Sequence, residues 1–233
     1  GEDGVEVHEY PSFKVGGFRF ECEQGAQEAS VTFRGAADKL NCNTSSGTNK
    51  TSTIASITMA TNRYRLLFPG MTVRLNDQGG AALDSAADQY VTGVTLDVDR
   101  TMKMDLVTTK AGRYIDEPKQ NGFTKVTGSL AFDKYATVNM TRLADYLAAT
   151  EKKMSIAFVG PLCNGATYYN VTFYLNAVQF RRGRPNIGGA ELTPFTMEFQ
   201  AHAVAAVPTG FPTGYTDALT MELINGVATD ALA

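Results

Sequence analysis

Along VTGVTLDVDRTMKMDLV, residues Val91 to Val107, apolar and polar positions alternate. Val94, Leu96, Val98, Met102, Met104 and Leu106 share one parity, while Thr95, Asp97, Asp99, Thr101, Lys103 and Asp105 share the other. Period two is the signature of a strand with one buried and one wet face. Strands rise ~3.3 Å per residue and usually run about 5–6 residues, so a single strand of roughly fifteen would reach about 45–50 Å. The pattern predicts one long amphipathic strand, with Arg100 breaking the apolar parity.

The same alternation recurs in TKVTGSLAFD (Thr124 to Asp133), in NVTFYLNAVQF (Asn170 to Phe180, with Val171, Phe173, Leu175 and Ala177 together), and in PFTMEFQAHA, where Phe195, Met197, Phe199 and Ala201 oppose Thr196, Glu198, Gln200 and His202. Shorter strand candidates are Phe13 to Phe20, Ser30 to Arg34, Ile54 to Met59, Tyr64 to Leu75 and Met154 to Val159. One stretch, NMTRLADYLAATEKK, reads as helix, with Asn139 as cap and Met140, Leu143, Tyr146 and Leu147 on one face. The sum is a mainly β protein: an antiparallel β-sandwich or half-barrel with one flanking α-helix and long loops. Residues 1–207 read as one domain interrupted by polar excursions at 41–53 and 76–89. Residues 208–233 read as a Pro/Gly linker followed by a candidate closing strand within Leu219 to Val227.

Composition narrows the chemistry. With 43% hydrophobic residues among 233, a buried core is expected, and a net charge of −3 gives no global attraction to nucleic acid or anionic membranes. No apolar run approaches the ~18–20 residues needed to span a bilayer, and the acidic start GEDGVEVHEY lacks the pattern of a secretion signal. Cys22, Cys42 and Cys163 form no Cys-x-x-Cys pair, and His8 and His202 are the only histidines, so metal-site spacing is absent. Glycine-rich phosphate loops and a Gly-x-Ser-x-Gly elbow are missing too. Asp97 and Asp99 with Asp105 share a parity but lie ~6.5–7 Å apart per step with no chelating loop. The reading is of a non-enzyme without cofactor or metal. Charge is also uneven along the chain. Gly1 to Glu28 hold seven acids against Lys14 and Arg19, whereas Ala29 to Leu83 hold six cations against Asp38 and Asp77. Such complementarity suits contact between copies.

Taken together, the order of long alternating segment, GFTKVTGSLAFDKY, short helix, YYNVTFYLNAVQF, basic loop and TPFTMEFQAHAV resembles the tail tube proteins of tailed bacteriophages. The resemblance runs roughly from Glu6 to Asn225, with VTGSLAFD and PFTMEFQA as its most specific phrases. It implies a β-sandwich subunit with a flanking helix, related in fold to the type VI secretion tube protein. Hexameric rings would close through shared inner sheets and stack into a hollow virion tail tube, assembled in the host cytoplasm. The lumen would hold the tape measure protein and then pass genomic DNA without sequence-specific binding. Tail terminator and distal tail proteins would meet the ends, a sheath is left open, and no membrane is involved.

On that reading the polar parity, Thr95, Asp97, Asp99, Thr101, Lys103, Asp105, Lys125, Thr127, Ser129 and Asp133, lines an acidic lumen that repels phosphates. The rival placement turns that parity outward or toward a neighbour. Arg181, Arg182 and Arg184 of RRGRPNIGG are placed at a subunit contact with a neighbour's acids. The excursion containing Asn41, Asn43, Thr44, Ser45, Ser46, Asn49 and Lys50 is placed between stacked rings. Alternatives are another tail component of the same fold, a terminator or distal ring protein, and, from a different class, a carbohydrate-binding β-sandwich module. For that module the absence of Trp and the lone Tyr168–Tyr169 pair offer little.

Overall fold

A computed structural model describes residues 13–26, 28–37, 65–103, 119–133, 137–183 and 195–225. In chain order the strands are β1 (Lys14–Glu23), β2 (Ser30–Ala36), β3 (Met71–Asp77), β4 (Asp88–Gln89), β5 (Gly93–Asp99), β6 (Met102–Lys103), β7 (Lys119–Gln120), β8 (Lys125–Phe132), β9 (Lys152–Asn164), β10 (Thr167–Gly183), β11 (Phe195–His202) and β12 (Thr220–Ile224). One helix, α1 (Thr137–Leu147), lies between β8 and β9 in the chain. Ten strands form one sheet in the order β2, β1, β5, β8, β11, β10, β9, β3, β4, with β12 pairing β10 beside that path. β6 and β7 form a separate pair. Every pairing from β8 through β11, β10, β9 and β3 to β4 is antiparallel, as is β10 with β12. Among the described residues this is the mainly antiparallel β architecture with a single helix that the sequence predicts.

The chain divides into two compact units, and β1, β2 and β5 contribute residues to both. The larger comprises Arg19–Val31, Tyr64–Asp97 and Lys125–Ala233. In it the sheet folds over on itself. The Phe20 ring on β1 lies 5.3 Å from that of Phe158 on β9 and 5.2 Å from that of Phe173 on β10, although β5, β8 and β11 intervene in the strand order. Between the two layers Leu96, Leu130, Met154, Ile156, Leu175, Phe195 and Met197 are fully buried. Each such side chain contributes about 1.5–3 kcal/mol by leaving water. The inward residues of β8 and β11 are the apolar parity read from the sequence, and Cys22 is buried among them with a free thiol.

The smaller unit comprises Gly1–Phe18, Thr32–Arg63 and Val98–Thr124. Within it the Arg100 amide donates to the Gly16 carbonyl (2.8 Å), Arg34 donates to the Val98 carbonyl (3.1 Å), and the rings of Phe18 and Phe33 lie 6.2 Å apart.

Three expectations need correction. The long strand is not continuous. β5 stops at Asp99, Thr101 takes a left-handed φ of 45°, and Met102–Lys103 pair with Lys119–Gln120 instead. The Asp99 carboxylate accepts from the Thr101 amide at 2.9 Å, an Asx-type turn that ends the strand. The helix starts at Thr137, so Asn139 is its third residue rather than its cap, and Lys152 and Lys153 open β9 instead of closing the helix. The 76–89 excursion is not structureless. Asp84 caps a short 3-10 turn at Ser85–Ala87, and Asp88–Gln89 return to pair with Val73 and Arg74. In β10 the pairing register with β9 shifts between Leu175 and Val178. Phe173, Leu175 and Ala177 are buried as their parity predicts, and the bulge adds Val178 and Phe180 of the other parity. The 41–53 excursion and the Ile54 to Met59 strand candidate lie outside the described residues.

Candidate functional site

The outward parity of the larger unit's β5, β8 and β11 builds one polar face. Pairing sets Glu198 opposite Ser129 and Gln200 opposite Thr127, and on the far side of β11 Gln179 of β10 opposite Gln200. Thr95 and Ser129 join their hydroxyls at 2.8 Å. A shallow groove of about 560 Å³ runs along this face, lined by Arg19, Thr95, Asp97, Thr127, Ser129, Arg181, Thr196, Glu198 and Gln200, with Gly128 and Phe199 at its floor. Arg19 is held in place by Glu21, whose carboxylate accepts from its Nε at 2.7 Å.

Gly128 explains how the face stays flat. It sits on the inward parity opposite Phe199. A Cβ there would come within 2.5 Å of the tip of the Phe199 ring and closer still to the Thr95 carbonyl. The missing side chain lets β5 and the Phe199 ring close over β8.

Of the residues assigned to a lumen wall, the structure brings Thr95, Asp97, Thr127 and Ser129 together along the groove, with Lys125 on the same parity at the start of β8. Asp99 and Thr101 belong to the turn that ends β5, Lys103 pairs across from Lys119, and Asp133 is exposed just past the end of β8. Asp105 lies outside the described residues. The groove is therefore charge-balanced rather than acidic, Asp97 and Glu198 against Arg19 and Arg181. Arg181 and Arg182 are both exposed where β10 bulges a second time against β11, and Arg182 stands opposite Glu198 in the β10–β11 backbone register. Arg184 and the residues Asn41, Asn43, Thr44, Ser45, Ser46, Asn49 and Lys50 lie outside the described residues. Thr196, Glu198 and Gln200 were visible as the polar parity of β11, but only the pairing of β11 with β8 joins them to Ser129 and Thr127.

Behind β9 and β10 a second arrangement holds the C-terminal segment. Lys153 is completely buried, and its ammonium donates to the Gly80 carbonyl (2.8 Å) and the Thr209 carbonyl (3.0 Å). Burial pushes its pKa down. Asn176, also buried, donates to the carbonyls of Tyr215 (3.0 Å) and Asp217 (2.6 Å). Phe211 is buried edge-on to the Tyr174 ring at 5.0 Å. Residues 204–217 are thus strapped across the outer face of β9 and β10. Beside the strap, Lys152 takes Asp77 of β3 at 2.6 Å and Asp145 of α1 at 2.8 Å, and Arg142 takes Asp145 at 2.8 Å. The hydrogen bond from Lys152, and then its charge, hold the Asp77 carboxyl below its ordinary range.

No protein-family model matches this sequence, and no curated protein matches it. Among solved structures, the SPP1 tail tube, determined by solid-state NMR and cryo-electron microscopy, overlaps 58% of this chain and 75% of its own at 10% identity, with a TM-score of 0.38. An overlap that loose leaves function to be read from this chain's own residues.

Proposed function

We propose that the protein is a structural subunit that assembles with copies of itself into a hollow tube of the phage-tail kind. Hexameric rings stack, and the outward face of β5, β8 and β11 lines the bore through which tape measure protein and then DNA pass. The observation that supports this most is the groove's lining: polar side chains on successive strands, with two cations balanced by two carboxylates. A basic wall would gain affinity from releasing counterions of the DNA backbone, and a strongly acidic one would repel it. A balanced, hydroxyl-rich wall does neither, which suits a conduit. The layout of the sequence supports the same reading, as does the open outer edge that β4 presents among the described residues.

Negative-stain microscopy of the purified protein over rising concentration tests it. Rings or hollow tubes are expected, and a strict monomer at every concentration, with or without purified tail-end proteins, would overturn it. In assembled tubes, an Asp97→Cys variant is expected to resist bulky thiol reagents that label the monomer. Equal labelling in both states would move this face out of the bore.

A further inference from the structure

The outer face of β3, β9 and β10 carries a second cavity, of about 290 Å³. Its floor is two rows of register partners: Arg74, Ser155 and Tyr174 stand abreast, with Thr72, Ala157 and Thr172 beside them. On β9 these floor residues have the parity opposite to buried Met154, Ile156 and Phe158. Its roof is Leu83 together with Gly210 and Phe211 of the strap. There the Phe211 amide donates to the Pro208 carbonyl at 3.2 Å, and Gly210 takes a φ of 84°, the third position of a tight turn where glycine is favoured. A Cβ on Gly210 would come within 2.6 Å of that of Ala82, so the turn lies flat on the neighbouring hairpin. The Lys153 ammonium ties both halves of the roof together through the Gly80 and Thr209 carbonyls. The cavity is therefore built into the fold and needs no closing motion.

The polar groups facing it are mostly unsatisfied by the chain. Ser155 is 7% exposed and Thr172 5%. Thr172 donates to the Asn170 Oδ1 at 3.2 Å, but among the described residues the hydroxyls of Ser155 and Thr72 have no hydrogen-bond partner. Arg74 gives its Nε to Asp88 at 2.7 Å, which leaves its Nη amines for the cavity. A hydroxyl shielded from bulk water without a partner destabilises its protein, so Ser155 points to an occupant with polar atoms of its own. Charge decides which kind. Among the described residues Arg74 is the one charged group lining the cavity, and Asp88 balances it. Hydroxyls donate and accept alike, which matches a ligand whose groups do both. Phe211, buried and edge-on to Tyr174, adds an apolar wall. We propose that this cavity binds one neutral sugar ring, free or at the end of a glycan. Ser155, Thr72 and the Arg74 Nη amines take its hydroxyls, and Phe211 takes its C–H face. The volume is just below the ~300–1,000 Å³ of pockets for drug-sized ligands, which leaves room for a single ring. Recognition here needs neither tryptophan nor assembly, and the site goes beyond the tube reading.

Titrating the dilute full chain with D-glucose, D-galactose, D-mannose and N-acetyl-D-glucosamine, followed by amide shifts in NMR spectra, tests this. At least one sugar is expected to saturate with a Kd of about 1 mM, the weak binding that so few atoms allow, and to move the amides of Ser155, Thr172 and Phe211. Ser155→Ala should weaken that sugar about 5–10-fold. The same variant should keep or raise the urea midpoint, because it deletes a buried hydroxyl that the chain does not satisfy; a side chain that only supports the fold would lower it. Ala157→Leu fills the floor and should abolish binding in a protein whose urea midpoint shows it folded. Failure of all the sugars to saturate below about 50 mM overturns the proposal, as does equal binding by both variants. Acetate or inorganic phosphate moving these amides where no sugar does would overturn it too, making this an oxyanion site of Arg74. Methyl glycosides that bind as well as the free sugar assign the ring to a glycan end, and their rejection assigns it to a soluble sugar; either result supports a sugar site. Ring or tube formation by the same preparation is read separately, so the tube reading and this site stand or fall apart.

Discussion

Replacing Gly128 by Ala puts the described approach of β5, β8 and β11 at risk in a way whose sign is diagnostic. Gly128 is not among the positive-φ glycines. At such a strand position Gly→Ala ordinarily stabilises by about 0.4–1 kcal/mol, because the unfolded chain loses freedom. Here the added methyl would lie 2.5 Å from the Phe199 ring tip and nearer still to the Thr95 carbonyl. A carbon and a carbonyl oxygen want roughly 3.3–3.6 Å. The ring can turn, but the carbonyl belongs to the backbone of the adjacent strand and moves only with β5.

Overpacking of this kind costs about 1–3 kcal/mol, and expelling Phe199 from the core would add toward the ~3–5 kcal/mol of losing a buried Phe. We expect Gly128→Ala to destabilise by about 3 kcal/mol in urea unfolding, or about 6–12 °C in Tm for a chain of this size. Adding Phe199→Leu relieves the ring but not the carbonyl, so the double variant is expected to recover about 1–2 kcal/mol relative to additivity. A Gly128→Ala protein as stable as wild type, or more so, would refute the close approach.

Three further outcomes are expected. Ala149 closes α1 with φ 50°, its amide donating to Tyr146 and that of Thr150 to Asp145, the pattern of a glycine C-cap; Ala149→Gly should raise stability by about 1 kcal/mol in the same assay, and a loss would contradict the left-handed geometry. Burial, reinforced by Glu222, raises the Tyr174 phenol to about 12. Its folded value lies above the unfolded ~10, so its contribution is complete below pH 10 and disappears as pH rises toward 12. One of the ten tyrosines should titrate late by ultraviolet absorbance, and Tyr174→Phe should remove both that step and the matching fall in stability. Asp97→Lys with Glu198→Lys turns the groove from balanced to four cations; assembled tubes should then retain DNA at about 50 mM salt and release it near 200 mM, and DNA passing unaffected at low salt would detach this face from the bore.

Strands were the legible part because period two is a local property. The inward residues of β8 and β11 could be named from their own segments. What stayed hidden depends on partners elsewhere in the chain or on backbone breaks that leave parity intact. Met102 continues the apolar parity of β5, so the turn at Thr101 leaves no trace in the pattern. Ala177 is buried with Leu175 as their shared parity predicts, and only pairing with β9 shows the bulge that adds Val178. Glu198 and Ser129 are 69 positions apart and meet through strand order alone. Lys153 reads as a helix-terminal lysine after LAATEK, the ordinary place for a cation near a C-terminus, and nothing in that stretch announces carbonyls from Gly80 and Thr209.

That ammonium also constrains how the molecule is completed. Dehydrating a cation is tolerable only once its new oxygen partners are present, and the two that Lys153 needs come from turns 129 positions apart in the chain. Either turn arriving alone would strip water from the charge and return one oxygen. The hairpin turn at Gly80 and the strap at Thr209 should therefore close on β9 as one cooperative event, and open as one when denaturant is raised.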